Sequence, residues 1–402
     1  MRHITIVGGG QAGLVLAIGL LDAGCKVRLA QNRTAADIAG GKVLSSQCVF
    51  GTARAEERRL GLDLWDKAAP AIDGVRIALA APDGSGNKAF GFVGKLDAPA
   101  QAVDQRLKFS RFMDLVAQRG GAIEIAEVGV AELERYAADS DLVVVAAGKG
   151  PVSHLFERDA ARSPYDQPMR ALSLVFASGV TPYDVTCVTA NIIPGVGELF
   201  MIPALTQSGP CEILFFEGIP GGPLDVFDAK PDAETQLGRI KALIRQFVPW
   251  EHERVSAAVP TDAHAGLSGR FAPTVRKGVG TLPSGKAVLG LADAVVLNDP
   301  VLGQGSNNAI KAAAIYLDAV VQRGTAVFDA PWMEATFERA FRRVEPSTTW
   351  TNMLLQPPPP HAIDLLARAS GKQELADRIA QGFDEPAGVL PLFADPARAA
   401  AA

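Results

Sequence analysis

"ITIVGGGQAGLVLAIGLLDAGCKVRLA", residues 4–30, is the stretch from which the fold can be read. Ile4–Val7 has the apolar content of a short buried strand, Gln11–Ala23 has helical length with Gly24 as its stop, and Val27–Ala30 is a second strand. Together they make one βαβ unit and therefore the start of a parallel sheet. Gly8, Gly10 and Gly13 fall between the first strand and the helix with GxGxxG spacing. In that position one glycine permits the tight turn, one lets the backbone approach a pyrophosphate, and one lets helix and strand pack closely. A plain tight turn is the alternative, but strand, turn, helix and second strand all lie where the dinucleotide motif needs them. The expected anion cradle is Gly8, Gly10, Gln11, Ala12 and Gly13, at the positive end of the helix.

At the end of the second strand such folds usually place an acid that bonds the adenosine ribose. This chain has Gln31, Asn32 and Arg33 there. An amide can still donate to and accept from a ribose hydroxyl, and Arg33 can lie along the adenosine, unless it is merely solvated. The far end of the dinucleotide then needs a second receiving element. "VLNDPVLGQGSNNAIKAAAIYL", residues 296–317, supplies an acid, a proline and two glycines ahead of another helix pattern, just after a strand that ends near Asp293. Backbone N–H groups at that helix start would face the carbonyl edge of a flavin ring, and Asp293 would hold the ribityl or pyrophosphate part. An ordinary helix cap by Asn298 or Asp299 is the alternative there.

The remaining sequence narrows the function classes. Of the 402 residues 48% are hydrophobic and 21% charged, which excludes a disordered chain. A net charge of −5 without a dense Lys/Arg run leaves no footprint for nucleic acid. Apolar runs are broken well short of the ~20 residues of a membrane span. Cys25, Cys48, Cys187 and Cys211 lack CxxC spacing, and the chain runs straight into a strand without a leader, so a reduced, cytoplasmic protein is expected. His3, His154, His252, His264 and His361 are scattered, and each is read as structural.

"DLVVVAAGKG" (141–150) and "KAVLGLADAVV" (286–296) read as further buried strands, and 96–120 contains a helix pattern carrying Leu107, Phe112, Leu115 and Val116. Between about 165 and 260, strand-like pieces separated by Gly/Pro turns suggest an antiparallel second domain with one helix near 233–248. Residues 326–384 read as helical, broken by "QPPPP" at 356–360, and the final "ADPARAAAA" is expected to fray. The expected division is a discontinuous cofactor domain, 1–164 and 262–325, a substrate domain, 165–261, and a helical C-terminal region, 326–402.

"DPVLGQGSNNA", the GxGxxG start, "LDAPAQAVDQRL", "SPYDQPMRAL", "GELFMIPALT" and "TTWTNMLL" together resemble the oxygenase component of styrene and indole monooxygenases, in the same order over nearly the whole chain. The resemblance implies an α/β, p-hydroxybenzoate-hydroxylase-like FAD-binding fold of Rossmann type, with an interleaved antiparallel-sheet substrate domain and C-terminal helices. It implies that a separate NAD(P)H:flavin oxidoreductase supplies FADH2, that O2 adds at flavin C4a, and that the resulting (hydro)peroxide passes one oxygen to a small aromatic alkene or to indole. It places Lys42 beside the flavin where styrene enzymes have an arginine, and Arg106 at the ribityl or phosphate region. Pro300, Val301, Leu302 and Gly303 would line the isoalloxazine, with Val128, Gly148, Gly305, Ser306 and Asn307 completing the cofactor contacts. Val43, Ser45, Gln47, Val301 and Leu302 would face substrate. Ser45 stands where styrene-type members have an asparagine, and Gln47 and Phe50 also depart, which turns the expectation toward indole-like substrates. A self-sufficient NAD(P)H-dependent aromatic hydroxylase and a flavin carrier without activity are the competing readings. No metal is expected, no catalytic acid–base residue is required, and the oligomeric state is left open, a homodimer included.

Overall fold

The computed structural model describes residues 1–148, 150–227 and 231–402; Lys149, inside the 141–150 run, and residues 228–230, inside the expected substrate domain, lie outside it. Two sheets organise the chain. The first has six strands in the order Val279–Thr281, Ala287–Gly290, Leu142–Val145, His3–Val7, Lys26–Gln31, Ala122–Ile125. All neighbours are parallel except the first pair. Leu142–Val145 is buried at every position, as a strand covered on both faces must be. The helix Gln11–Asp22 is buried over its first ten residues and packs against the helix Gly305–Arg323. The approach is close: a Cβ on Gly19 would lie 2.5 Å from Leu317 Cδ2. This confirms the βαβ reading and joins the two glycine-led helices in one core.

The second sheet has eight strands: Val259–Pro260, Ala171–Ser178, Gly209–Gly218, Gly197–Thr206, Cys187–Ile193, Ile72–Ala80 and Lys88–Ala100 in order, with Gly266–Gly269 also paired to Ala171–Ser178. It is antiparallel except where Ile72–Ala80 runs alongside Cys187–Ile193. The helix Ala233–Phe247, near the expected 233–248, is capped by Asp232, which accepts from Thr235 N at 2.8 Å, a cap worth ~1 kcal/mol. Ile72–Ala80 and Lys88–Ala100 come from before residue 165. The sheet is therefore more widely interleaved than the 165–261 block, because a parallel neighbour for Cys187–Ile193 has to come from a distant part of the chain.

The C-terminal region is helical from Ala330–Leu354 through Pro360–Ala369, Gln373–Gln381 and Pro386–Ala394. Gln373–Gln381 lies directly on the second sheet: a Cβ on Gly94 would fall 2.0 Å from the Ala376 carbonyl oxygen. The tail expected to fray instead forms a last helix, Pro396–Ala401. Asp395 caps it through Ala397 N at 2.9 Å, Ala399 is 1% exposed, and Arg368 donates to the Ala399 carbonyl. An Asp–Pro start supplies a capping acceptor and a helix-ready φ, and the burial of Ala399 does the rest. Among the described residues no helix is long and apolar enough to cross a membrane, and no cluster of His, Cys, Asp and Glu could hold a metal.

Candidate functional site

The parallel registers put five strand ends at one edge. Val7 is level with Ala30 and Val145, Val145 with Gly290, and Gln31 with Ile125. The next residues close the ladder, with Gly8 N donating to Ala30 O, Ala146 N to Val7 O, Leu291 N to Val145 O and Ala126 N to Gln31 O, each at 2.8 Å. The loops carrying Gly8–Gly10, Asn32–Arg33, Val128, Gly148 and Asp293 therefore leave from a common crevice beyond the carboxyl ends of the strands, where open α/β sheets bind ligands.

The three motif glycines divide their work as the spacing predicts. Gly8 sits at φ +112°, and a Cβ there would meet the Ala146–Ala147 backbone at 2.8 Å, so it is the turn. A Cβ on Gly13 would lie 2.0 Å from Gly8 O, so it is the packing glycine. A Cβ on Gly10 would meet nothing within 4 Å, and Gly10 begins a helix whose first N–H groups meet no side-chain cap. That leaves space and donors for an anion at one point. Gln11 is 7% exposed and its amide donates to Glu57 at 2.9 Å, so its side chain braces the turn while its backbone faces the crevice. Ala12 is buried beside it.

At the second strand's end Gln31 is buried, its amide turned onto Met113 Sδ and the Arg33 carbonyl, while Asn32 and Arg33 are exposed. Asn32 donates to Glu127 at 2.9 Å. The sequence reading missed this: the acid absent from the second strand stands next to Val128, delivered by the loop after Ala122–Ile125. Only the register shows it, because Glu127 is distant from Asn32 in the chain.

On the other flank a Cβ on Gly148 would lie 2.5 Å from Asp293 Cβ, so those two loops touch. Asp293 and Gly305 line one narrow cleft of about 20 Å3 with Asn308 and Tyr316. The capping alternative holds for part of the loop: Asp299 accepts from Val301 N at 3.1 Å and caps the short turn Pro300–Leu302. It does not extend to the helix. Gly303 follows in the left-handed region at φ +66°, and Gly305–Arg323 begins with no side-chain cap, with open space around Gly305. Ser306 is buried at its start.

Asn307 has a different place from the one expected. It is fully buried, accepts from Phe50 N at 2.8 Å, and donates to Cys48 O at 2.8 Å and Gly303 O at 3.0 Å. It ties the 42–50 segment to the Gly303 turn. Val43, Val301 and Leu302 consequently lie in one apolar cluster with Phe50, Phe200 and Trp350. Gln47 is buried, with its amide on the Val103 carbonyl, and Ser45 Oγ lies 3.4 Å from Gln47 Oε1. Cys48, buried in the same cluster, has its thiol pushed up to about 12 by burial and stays uncharged. Lys42 is exposed.

Arg106 is 3% exposed and strongly engaged. It meets Asp104 Oδ2 at 2.7 and 2.9 Å, Asp262 at 2.9 and 3.0 Å, Gly41 O at 3.3 Å and Thr206 Oγ1 at 3.4 Å. Burial opposes its charge, but the hydrogen bonds to Asp262 and Asp104 outweigh burial and raise its pKa. Its fork joins the 41–50 segment at Gly41 to the second sheet at Thr206. Of the histidines, His3 and His361 bond backbone carbonyls at 2.7 and 2.8 Å, in keeping with structural roles.

The fold recurs in flavoenzymes. A triple mutant of the flavin-dependent brominase Bmp2 superposes with a TM-score of 0.68 at 16% identity, covering 96% of this chain and 97% of that one. The p-nitrophenol 4-monooxygenase PnpA of Pseudomonas putida gives 0.67 at 13%, covering 96% and 99%. Residues 148–254 match the family model "Styrene monooxygenase A putative substrate binding domain". Styrene monooxygenase StyA of Pseudomonas fluorescens is 31% identical over 408 residues, 99% of this chain and 96% of its own length, and a second StyA from a Pseudomonas species is 31% identical over 410. With identity running the full length of the chain, over a fold shared with flavoenzymes and a crevice shaped for a dinucleotide, the chain belongs to the styrene monooxygenase family of flavin-dependent monooxygenases.

Proposed function

We propose that this chain is the oxygenase component of a two-component system, taking FADH2 from a separate NAD(P)H:flavin reductase and oxidising a small aromatic alkene or indole. The observation that carries it is the pair of uncapped, glycine-led helix starts, at Gly10 and at Gly303–Gly305, which suit the two ends of one FAD. When bound, reduced flavin with O2 supplies one oxygen atom to the substrate; the other leaves as water and the flavin is left oxidised. Gly8, Gly10 and Gly13 with the Gln11–Ala12 backbone would hold the pyrophosphate, Asn32, Arg33 and Val128 the adenosine, and Gly148 and Asp293 the linking sugar part. Pro300, Gly303, Gly305 and Ser306 would frame the ring, Lys42 would border it, Arg106 would reach the ribityl or phosphate part, and Asn307 would keep the turn against the pocket. Val43, Ser45, Gln47, Val301 and Leu302 would face substrate, with Ser45 and Gln47 supporting an indole N–H over plain styrene. The 1–164 and 262–325 segments would then carry the cofactor, 165–261 with the strands from 72–100 the substrate, and 326–402 the cover. A reduced compartment, the cytoplasm, suits the four free cysteines.

The test is simple. The purified protein mixed with NADH and indole or styrene should consume no NADH; adding any flavin reductase and FAD should start product formation. Substrate-dependent NADH oxidation without a reductase would favour the single-component hydroxylase instead.

The receiving turn makes a second test. Gly305→Leu fills open space at the helix start without backbone strain and should weaken FADH2 binding. Leu302→Ala removes a side chain that is 1% exposed, should cost ~2–4 kcal/mol of stability, and should keep most FADH2 affinity while diverting oxygen to H2O2, because the apolar wall excludes water. Normal binding by the first and full coupling by the second would place the ring elsewhere.

A further inference from the structure

Where the Asp299–Gly303 turn meets the second sheet four ionisable side chains gather: Asp299 from the turn, and Arg170, Glu198 and Glu217 from the sheet side. Glu217 and Asp299 are 0 and 1% exposed, and the Arg170 and Glu198 side chains are nearly as buried. Glu198 and Glu217 stand directly opposite each other on neighbouring antiparallel strands, hence on one face, where two like charges repel. One guanidinium serves them. Arg170 forks onto Glu198 at 2.8 and 2.9 Å, and its other contacts are the carbonyls of Met169, Leu354 and Leu355.

Glu217 is left over. Among the described residues no N–H or hydroxyl donor reaches either of its oxygens, and the group within hydrogen-bonding reach is the Asp299 carboxyl. Two carboxyl groups meeting away from water must hold a proton between them. Asp299 already accepts from Val301 N, the bond that shapes the turn, and is the better acceptor when ionised.

We infer that Glu217 is held as a neutral acid donating its proton to the Asp299 carboxylate, and that this acid pair is a positioning device fixing the Asp299–Gly303 turn for the flavin. The second half rests on the placement of the flavin proposed above. Burial first, then the Asp299 and Glu198 carboxylates, raise the Glu217 pKa well above 4.5. Burial also raises Asp299, while hydrogen bonds from Glu217 and Val301 N and the charge of Arg170 hold it back. A carboxyl whose folded pKa is raised contributes stability that is full below its unfolded value and is lost as pH rises through its folded value. The turn should therefore loosen as pH rises above the ordinary carboxyl range.

Three variants separate the claims. Infrared spectra of the flavin-free protein should show the carbonyl stretch of protonated Glu217; E217Q should abolish it. The parent-minus-variant difference spectrum isolates that band and cancels any contribution from Glu212, another buried acid whose pKa is raised to about 7. Absence of that band in the parent, or its survival in E217Q, overturns the assignment of the proton. In anaerobic titration, E217Q, whose amide still donates to Asp299, should bind FADH2 like the parent and flatten the loss of Tm between mildly acidic and alkaline pH. E217L, which cannot donate, should weaken FADH2 roughly tenfold, the loss of one charge-assisted hydrogen bond. If E217L binds normally while Gly305→Leu does not, the flavin is at the turn and the positioning role is wrong. If both bind normally, the placement of the flavin itself fails.

Discussion

Gly10→Val should fold and lose its flavin. Gly10 lies at φ −86°, ψ −172°, backbone open to any residue, and its Cβ would touch no protein atom within 4 Å. Nothing in the protein resists the change, so the Tm should stay within about 1 °C of the parent. The space it fills is the proposed approach to the pyrophosphate, and losing the backbone contacts there should weaken FADH2 roughly a hundredfold or more, about 3 kcal/mol. Anaerobic titration with a melting curve on the same sample reads both. A folded variant with parental affinity would remove the Gly8–Gly13 turn from the cofactor site.

Gly13→Ala, three residues away, should fail in the opposite sense. Its single added carbon would sit 2.0 Å from Gly8 O and 3.4 Å from Ile6 Cγ2, contacts that force the helix off the strand. Backbone cannot yield as a flexible side chain would, so a loss of about 3 kcal/mol or more is expected, lowering Tm by roughly 4 °C. Flavin affinity of the fraction that remains folded should fall much less than in Gly10→Val. Equal melting curves for parent and Gly13→Ala would contradict the packing role.

The difference between these two glycines was legible in the sequence, because local spacing sets both roles. The strand–turn–helix order of 4–30 and the two glycine-led helix starts were legible for the same reason; that neither carries a side-chain cap was not. Contacts that depend on register or on distant chain segments were not. Glu127 reaches Asn32 only because Lys26–Gln31 and Ala122–Ile125 are neighbours. Asn307 read as a flavin contact from its motif, yet its amide is spent on Phe50 and Cys48, some 257 residues earlier. Lys88–Ala100 went unread because it is a glycine-interrupted strand without a clean apolar alternation. The tail looked frayed because Ala-rich ends usually are, and a cap with one buried alanine decided otherwise.

The central claim is that this chain uses flavin reduced elsewhere, and one single-turnover experiment tests it most directly. FAD reduced photochemically would be bound to the protein without oxygen, NADH or reductase, then mixed with aerated buffer containing indole or styrene. Close to one oxygenated product per FADH2 bound is expected, with the flavin returned oxidised. Oxidation of the flavin with no product from either substrate, or product only when NADH is present, would contradict it.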